Sequence, residues 1–139
     1  MLDLNCNTGR LALCTIFGFA FIFGFSYIVH GDLLASLYEE TPMLWRPQDA
    51  ISDFFPYMLL SQFLLAAVTS YMFTQNYEND GIAEGMRFGL LLGVMLAVLW
   101  AMPFSYMPIS ATLAMAWAME GILMGLGLGI IYALFYRDH

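Results

Sequence analysis

The chain predicts an all-α membrane protein, a four-transmembrane-helix bundle of two hairpins with the N and C termini on the cytoplasmic side. Composition is the first observation behind this. Of 139 residues, 61% are apolar and 11% charged, with a mean hydropathy of +0.74, whereas a soluble domain runs at roughly 45 to 50% apolar and about 25% charged. The second is that the apolar residues gather into four stretches, each long enough as a helix to cross a hydrocarbon core of about 30 Å. The length fits one integral membrane domain, 1–139.

The first stretch, 11–30, is "LALCTIFGFAFIFGFSYIVH". Phenylalanine recurs there at every second position, but the residues between are apolar too, and a barrel strand would alternate apolar with polar. A cleaved leader is the rival reading of this end. The apolar region is too long for one, Asp3 stands beside a single Arg10, and no small-residue cleavage signal follows, so the segment is expected to stay as an anchor. The outer connection, 31–53, keeps helical periodicity through "DLLASLY", which extends the first helix to about Glu40 before Thr41-Pro42 stops it. Tyr38, Trp45 and His30 then belong at the outer interface, where amphipathic rings are favoured.

The second stretch, 54–73, follows Pro47, a residue suited to a first helical turn, and contains Pro56 as a candidate kink. The third, 82–102, is joined to the fourth, 110–136, by the short "PFSYMP". The fourth is longer than a span requires and predicts a tilt or a projecting end. Arg10, Arg87 and Arg137 share the side of the termini and Arg46 lies opposite, so the basic residues place the termini in the cytoplasm.

Packing is legible as two ribs of small residues. Gly81, Gly85, Gly89, Gly93, Ala97 and Ala101 recur every fourth position in the third span, and Gly121, Gly125, Gly129 and Ala133 do so in the fourth. Positions four apart share a helix face, and a face of hydrogens and methyls lets backbones approach closely in lipid. The ribs predict either a tight hairpin within the chain or one face spent on a second subunit.

Several chemistries are disfavoured. The chain has no lysine and a formal charge of -7, unlike the basic stripe that nucleic-acid binding needs. Cys6 and Cys14 form no metal or redox spacing. His30 and His139 fall on opposite sides, so one chain offers no paired haem ligands. Met115 with Met119, and Met102 with Met107, read as packing residues rather than a Cu(I) site. Neither cofactor nor metal is expected, and no catalytic motif is present. Glu84 and Arg87 read as an exposed ion pair at the inner end of the third span.

Glu120 alone is ionisable within its stretch, and an intramembrane acid is a functional candidate by default. Counted from Ser110 it lies about 15 Å deep, and Gln62, counted from Phe54, about 12 Å. The two therefore make a candidate midplane polar site, with Ser61, Thr69 and Ser70 as a thin polar seam along the second span. The bland alternative is a neutral acid hydrogen-bonded to Gln62, Ser61 or a backbone carbonyl.

The strings "RLAL" (10–13), "HGDLL" (30–34), "EGMRFGLLLG" (84–93) and "GIIYALF" (129–135) resemble a loose group of short bacterial four-span membrane proteins. The resemblance implies a multi-pass protein of the bacterial inner (plasma) membrane and carries no activity with it. The leading expectation is a non-enzymatic scaffold or accessory subunit, partnered by the lipid bilayer and by copies of itself or a larger membrane complex through its glycine faces. The alternative is a small channel or proton-coupled transporter built around Glu120 and Gln62.

Overall fold

The computed structural model describes residues 7–137; Cys6 and His139 lie outside them. Within that range the chain is helical, with no strand, and four helices are long and apolar enough to cross a membrane. Helix α1, Thr8–Ile28, begins where the Asn7 side chain accepts the Arg10 N–H at 3.1 Å. It runs into a wider π turn, Val29–Leu33, before the short α2, Ala35–Glu39. The predicted extension of the first helix toward Glu40 thus exists, but it is interrupted by this bulge. A 3-10 turn, Pro42–Leu44, leads to α3, Gln48–Gln75, which carries Pro56 without breaking. Helix α4, Ile82–Ala101, starts after Gly81, whose φ of 69° is one that L side chains rarely adopt. A second 3-10 turn, Met102–Ser105, precedes α5, Ala111–Tyr136, capped by the Ser110 side chain accepting the Leu113 N–H at 3.2 Å.

The glycine ribs meet one another. A Cβ built on Gly85 would stand 2.3 Å from the Gly129 carbonyl oxygen, one on Gly89 would stand 2.6 Å from that of Gly125, and one on Gly121 would stand 2.6 Å from the Ala97 nitrogen. Gly93 closes the set against the Ile122 backbone. Of the two uses the ribs predicted, the tight hairpin within the chain is the one seen. Helix α5 is the hub, packing on α4 and α1, while α3 leans mainly on α1 and scarcely touches α4. Burial follows this order: 44% of the most apolar window of α5 is buried against 6% of that of α3.

The start of α1 and the end of α5 lie together, the Asn7 N–H donating to the Tyr136 hydroxyl and the Arg10 guanidinium to the Tyr136 carbonyl. Near this terminal end the predicted Glu84–Arg87 pair is replaced by another arrangement. Arg87 pairs with Asp80 at 2.9 Å, and the buried Glu84 carboxylate accepts the backbone N–H groups of Glu78 at 2.7 Å and Asp80 at 3.0 Å. The reason is local: the left-handed residues Asn79 and Gly81 fold the loop back over the first turn of α4, turning its N–H groups toward the carboxylate. Glu84→Ala is expected to lower stability by about 1 to 2 kcal/mol, measured by thermal unfolding in detergent, because two donors lose their acceptor.

Candidate functional site

At the opposite, distal end, α1, α3, α4 and α5 diverge around a cavity of about 570 Å³. Its polar lining is Ser26 and His30 from the first helix and its π turn, Ser61 and Gln62 from α3, and Glu120 from α5; Trp100 and Trp117 supply indole rings. Glu120 is 3% exposed, and neither of its carboxylate oxygens has a hydrogen-bond partner. The Gln62 carbonyl oxygen is buried and unpartnered as well. Each such atom costs on the order of 1 to 3 kcal/mol, more for a charged group.

The His30 Nε2 stands 3.1 Å from Glu120 Oε2, at ion-pair distance but outside hydrogen-bond geometry. The other ring nitrogen, Nδ1, hydrogen-bonds the Tyr38 hydroxyl. That hydroxyl accepts the Trp117 indole N–H at 2.9 Å, and the Trp45 indole donates to the Tyr38 carbonyl at 3.1 Å. With Trp117 donating to it, the Tyr38 oxygen is free to direct its own proton at Nδ1. Neutral His30 then carries its proton on Nε2, facing Glu120. Burial raises the Tyr38 phenol above its ordinary value, with the negative Glu120 adding to the effect and the Trp117 hydrogen bond opposing it, so the hydroxyl keeps its proton.

Tyr38, Trp45 and Trp117 pack ring on ring, with centroids 5.0 to 6.4 Å apart. They line a second cavity of about 870 Å³ under the 31–53 connection, together with Glu39, Arg46 and Gln48. His30 and Trp117 line both cavities and form the wall between them. The three expected interfacial residues therefore do more than anchor: they build a hydrogen-bonded chain from a distal vestibule to His30, whose Nε2 lies 3.1 Å from Glu120.

The predicted polar site divides in two. Gln62, Ser61 and Glu120 share the distal cavity, although the Ser61 hydroxyl donates to its own helix at the Met58 carbonyl, 2.8 Å away. Thr69 and Ser70 stand apart from it, below Ala66, Met124 and Leu128, all fully buried apolar residues. Thr69 lies 2.7 Å from the Tyr132 hydroxyl, which donates to the Ala66 carbonyl, and Ser70 lies 2.8 Å from Thr15. This seam satisfies itself and ties α3 to α1 and α5. Tyr132→Phe is expected to lower stability by about 1 kcal/mol, since Thr69 retains the Leu65 carbonyl. Thermal unfolding checks the stability, and any loss of Glu120-dependent activity would show that the seam belongs to the site.

Glu120 lies ten residues along α5 from Ser110 and meets His30 just beyond the end of α1. The first turns of α5 run beside the connection, where Leu113 and Ala114 pack on Val29 and Leu34.

Among the described residues no three His, Cys, Asp or Glu side chains converge on a point where a metal could sit. Met115 and Met119 face outward, 66% and 57% exposed. Comparison of the chain with protein-family models, curated proteins and solved structures returns no match.

Proposed function

We propose that this protein is a small proton-coupled transporter whose solute binds in the distal cavity against Glu120 and Gln62. The carrying observation is that both Glu120 oxygens and the Gln62 carbonyl oxygen, all buried and without a hydrogen bond, border one cavity of ligand size, about 570 Å³. Packing alone gives a fold no reason to keep three unsatisfied acceptors around one void. The Tyr38–His30–Glu120 chain adds a route for protons from the vestibule. The layer of Ala66, Met124 and Leu128 closes the terminal side of the cavity, and transport requires that layer to part. The reading places the protein in a bacterial inner membrane with cytoplasmic termini, as the group it resembles and the arginine distribution suggest, and it assigns no covalent chemistry.

The test is proton movement in proteoliposomes followed with an entrapped pH dye. The wild type is expected to dissipate an imposed pH gradient through uncoupled slip of the solute-free carrier, and Glu120→Gln to leave it standing; a wild type no faster than empty liposomes overturns the proposal. Tyr38→Phe, which removes the hydroxyl between Trp117 and His30, is expected to slow proton movement about tenfold, within the range for a positioned proton-transfer group. An unchanged rate would remove Tyr38 from the route.

The scaffold reading retains one specific support. Because the glycine faces are occupied within the chain, self-association or docking in a larger complex falls to α3, whose exposed apolar side includes Phe55, Leu60, Phe63 and Val68. Cysteines introduced at Leu60 and Val68 would crosslink in native membranes if that face meets another protein, and would fail to do so if lipid covers it.

A further inference from the structure

The cavity opens sideways. Ser61 of α3 and Leu99 of α4 line it and are both exposed on the outside of the bundle, and these two helices scarcely touch one another. The surface around this mouth is apolar: Leu60 and Leu64 on α3 and Met95 and Val98 on α4 are exposed. In a membrane, that mouth faces acyl chains rather than water. Behind it the walls are Ile22, Leu65, Leu96 and Met124 with the rings of Trp100 and Trp117, and the acid stands at the back.

These walls select a ligand by chemistry. A bare metal cation is held by several converging ligands, commonly with more than one carboxylate, and among the described residues no three His, Cys, Asp or Glu side chains converge here. An anion meets the Glu120 carboxylate with no basic residue except His30 to offset it. A cation whose charge is spread over an apolar body loses little hydration, fills the aliphatic walls, stacks on indole faces and pairs with the carboxylate. We infer that the cavity binds a lipophilic organic monocation that reaches it laterally from the bilayer, and that its arrival expels one proton from the His30–Glu120 pair. This rests on the proton-coupled reading above and supplies its substrate class.

Charge balance sets the exchange. In a poorly solvated pocket a net charge is costly, so the pair holds one proton while the cavity has no cation, as Glu120⁻ beside His30⁺, whose Nδ1 proton is the one that can pass to the Tyr38 oxygen. When the monocation pairs with the Glu120 carboxylate, the proton leaves through His30 and Tyr38 into the vestibule, and the net charge stays at zero. No bond other than those to the proton changes. The titratable groups facing Glu120 are His30 and, through it, Tyr38. Helix α3 presents Gln62 and Ser61, α4 presents Leu96, Leu99 and Trp100, and Glu39 and Arg46 lie beyond His30 in the vestibule.

The experiment uses the full chain in lipid nanodiscs with tetraphenylphosphonium as probe and tetraphenylborate, its anionic counterpart of like shape, as control. Binding is followed by indole fluorescence and equilibrium dialysis, and proton release by a dye in weak buffer. The expected result is saturable phosphonium binding with about one proton released per cation, no saturable borate binding, and at least about tenfold weaker phosphonium binding in Glu120→Gln. Leu99→Trp, which narrows the mouth without touching the acid, is expected to slow phosphonium association several-fold, and it supplies a readout if Glu120→Gln fails to fold. Equal binding of phosphonium and borate, or phosphonium binding without proton release, overturns the inference. Unchanged association in Leu99→Trp overturns the lateral route. A Glu120-dependent proton flux in liposomes with no phosphonium binding discards the cation while the proton-coupled reading stands; absence of that flux discards the reading itself.

Discussion

Glu120→Gln is expected to fold as the wild type does and to lose proton movement by at least about tenfold. The substitution keeps shape and volume, and the amide oxygen still faces His30 Nε2, 3.1 Å away in the parent. It removes only the capacity to carry charge. Removing one member of an ion pair is strongly destabilising where the other charge stays buried, but the His30 side chain is 43% exposed and keeps its Tyr38 hydrogen bond, so unfolding midpoints in detergent should move by less than about 2 kcal/mol equivalent. Glu120→Ala differs in kind, because it opens space beside His30 and leaves the imidazole without its partner. If Glu120→Gln retained full flux, the acid would be a structural fastener and the cavity a packing defect. If it lost both flux and fold, its role would have to be judged from Tyr38→Phe, which leaves the acid in place.

Gly125→Leu is expected to destroy the α4–α5 hairpin. Even a single Cβ at Gly125 would stand 2.3 Å from the Gly93 nitrogen and 2.4 Å from its Cα, and the corresponding atom at Gly129 would stand 2.0 Å from the Gly85 carbonyl oxygen. These neighbours are backbone, so no rotamer change relieves the clash and the helices must part along the whole rib. Overpacking costs about 1 to 3 kcal/mol where side chains can adjust and more where they cannot. Loss of at least about 3 kcal/mol, seen as early thermal unfolding and new protease cleavage in detergent, follows from that bound. Gly24→Ala is the control: a Cβ there has nothing within 4 Å, and better helix propensity should make it neutral or stabilising by up to about 1 kcal/mol. A Gly125→Leu protein with an unchanged midpoint but a smaller oligomer would instead assign the rib to a second subunit.

The sequence was most informative where physics is one-dimensional. Four apolar stretches set four helices, because a span is decided by the length and hydropathy of contiguous residues; Ser110 and the Thr41-Pro42 stop were readable for the same reason. The ribs at Gly85, Gly89 and Gly93 and at Gly121, Gly125 and Gly129 announced close approach, but periodicity identifies a face and not the surface opposite it. Glu120 and Gln62 were found as polar residues in apolar runs. His30 was assigned to the interface because it closes a span, and nothing in its neighbourhood refers to a residue 90 positions away. The only local hint was "HGDLL", polar and flexible enough to interrupt the first helix, and there the structure has its π turn. Thr69 and Ser70 share a helix with Gln62, yet they belong to another cluster, because the partners that satisfy them, Tyr132 and Thr15, come from α5 and α1.

Composition and hydropathy alone determined that this is a bundle of lipid-crossing helices with small-residue faces and an acid, Glu120, far from either end of the last, since burial in a bilayer is a property of each segment taken singly. Only the tertiary structure decided that the glycine faces meet within the chain and that Glu120 faces His30, Gln62 and an open cavity. Which side chains converge depends on how helices rotate and cross, and a helix's own residue order leaves those two degrees of freedom unset.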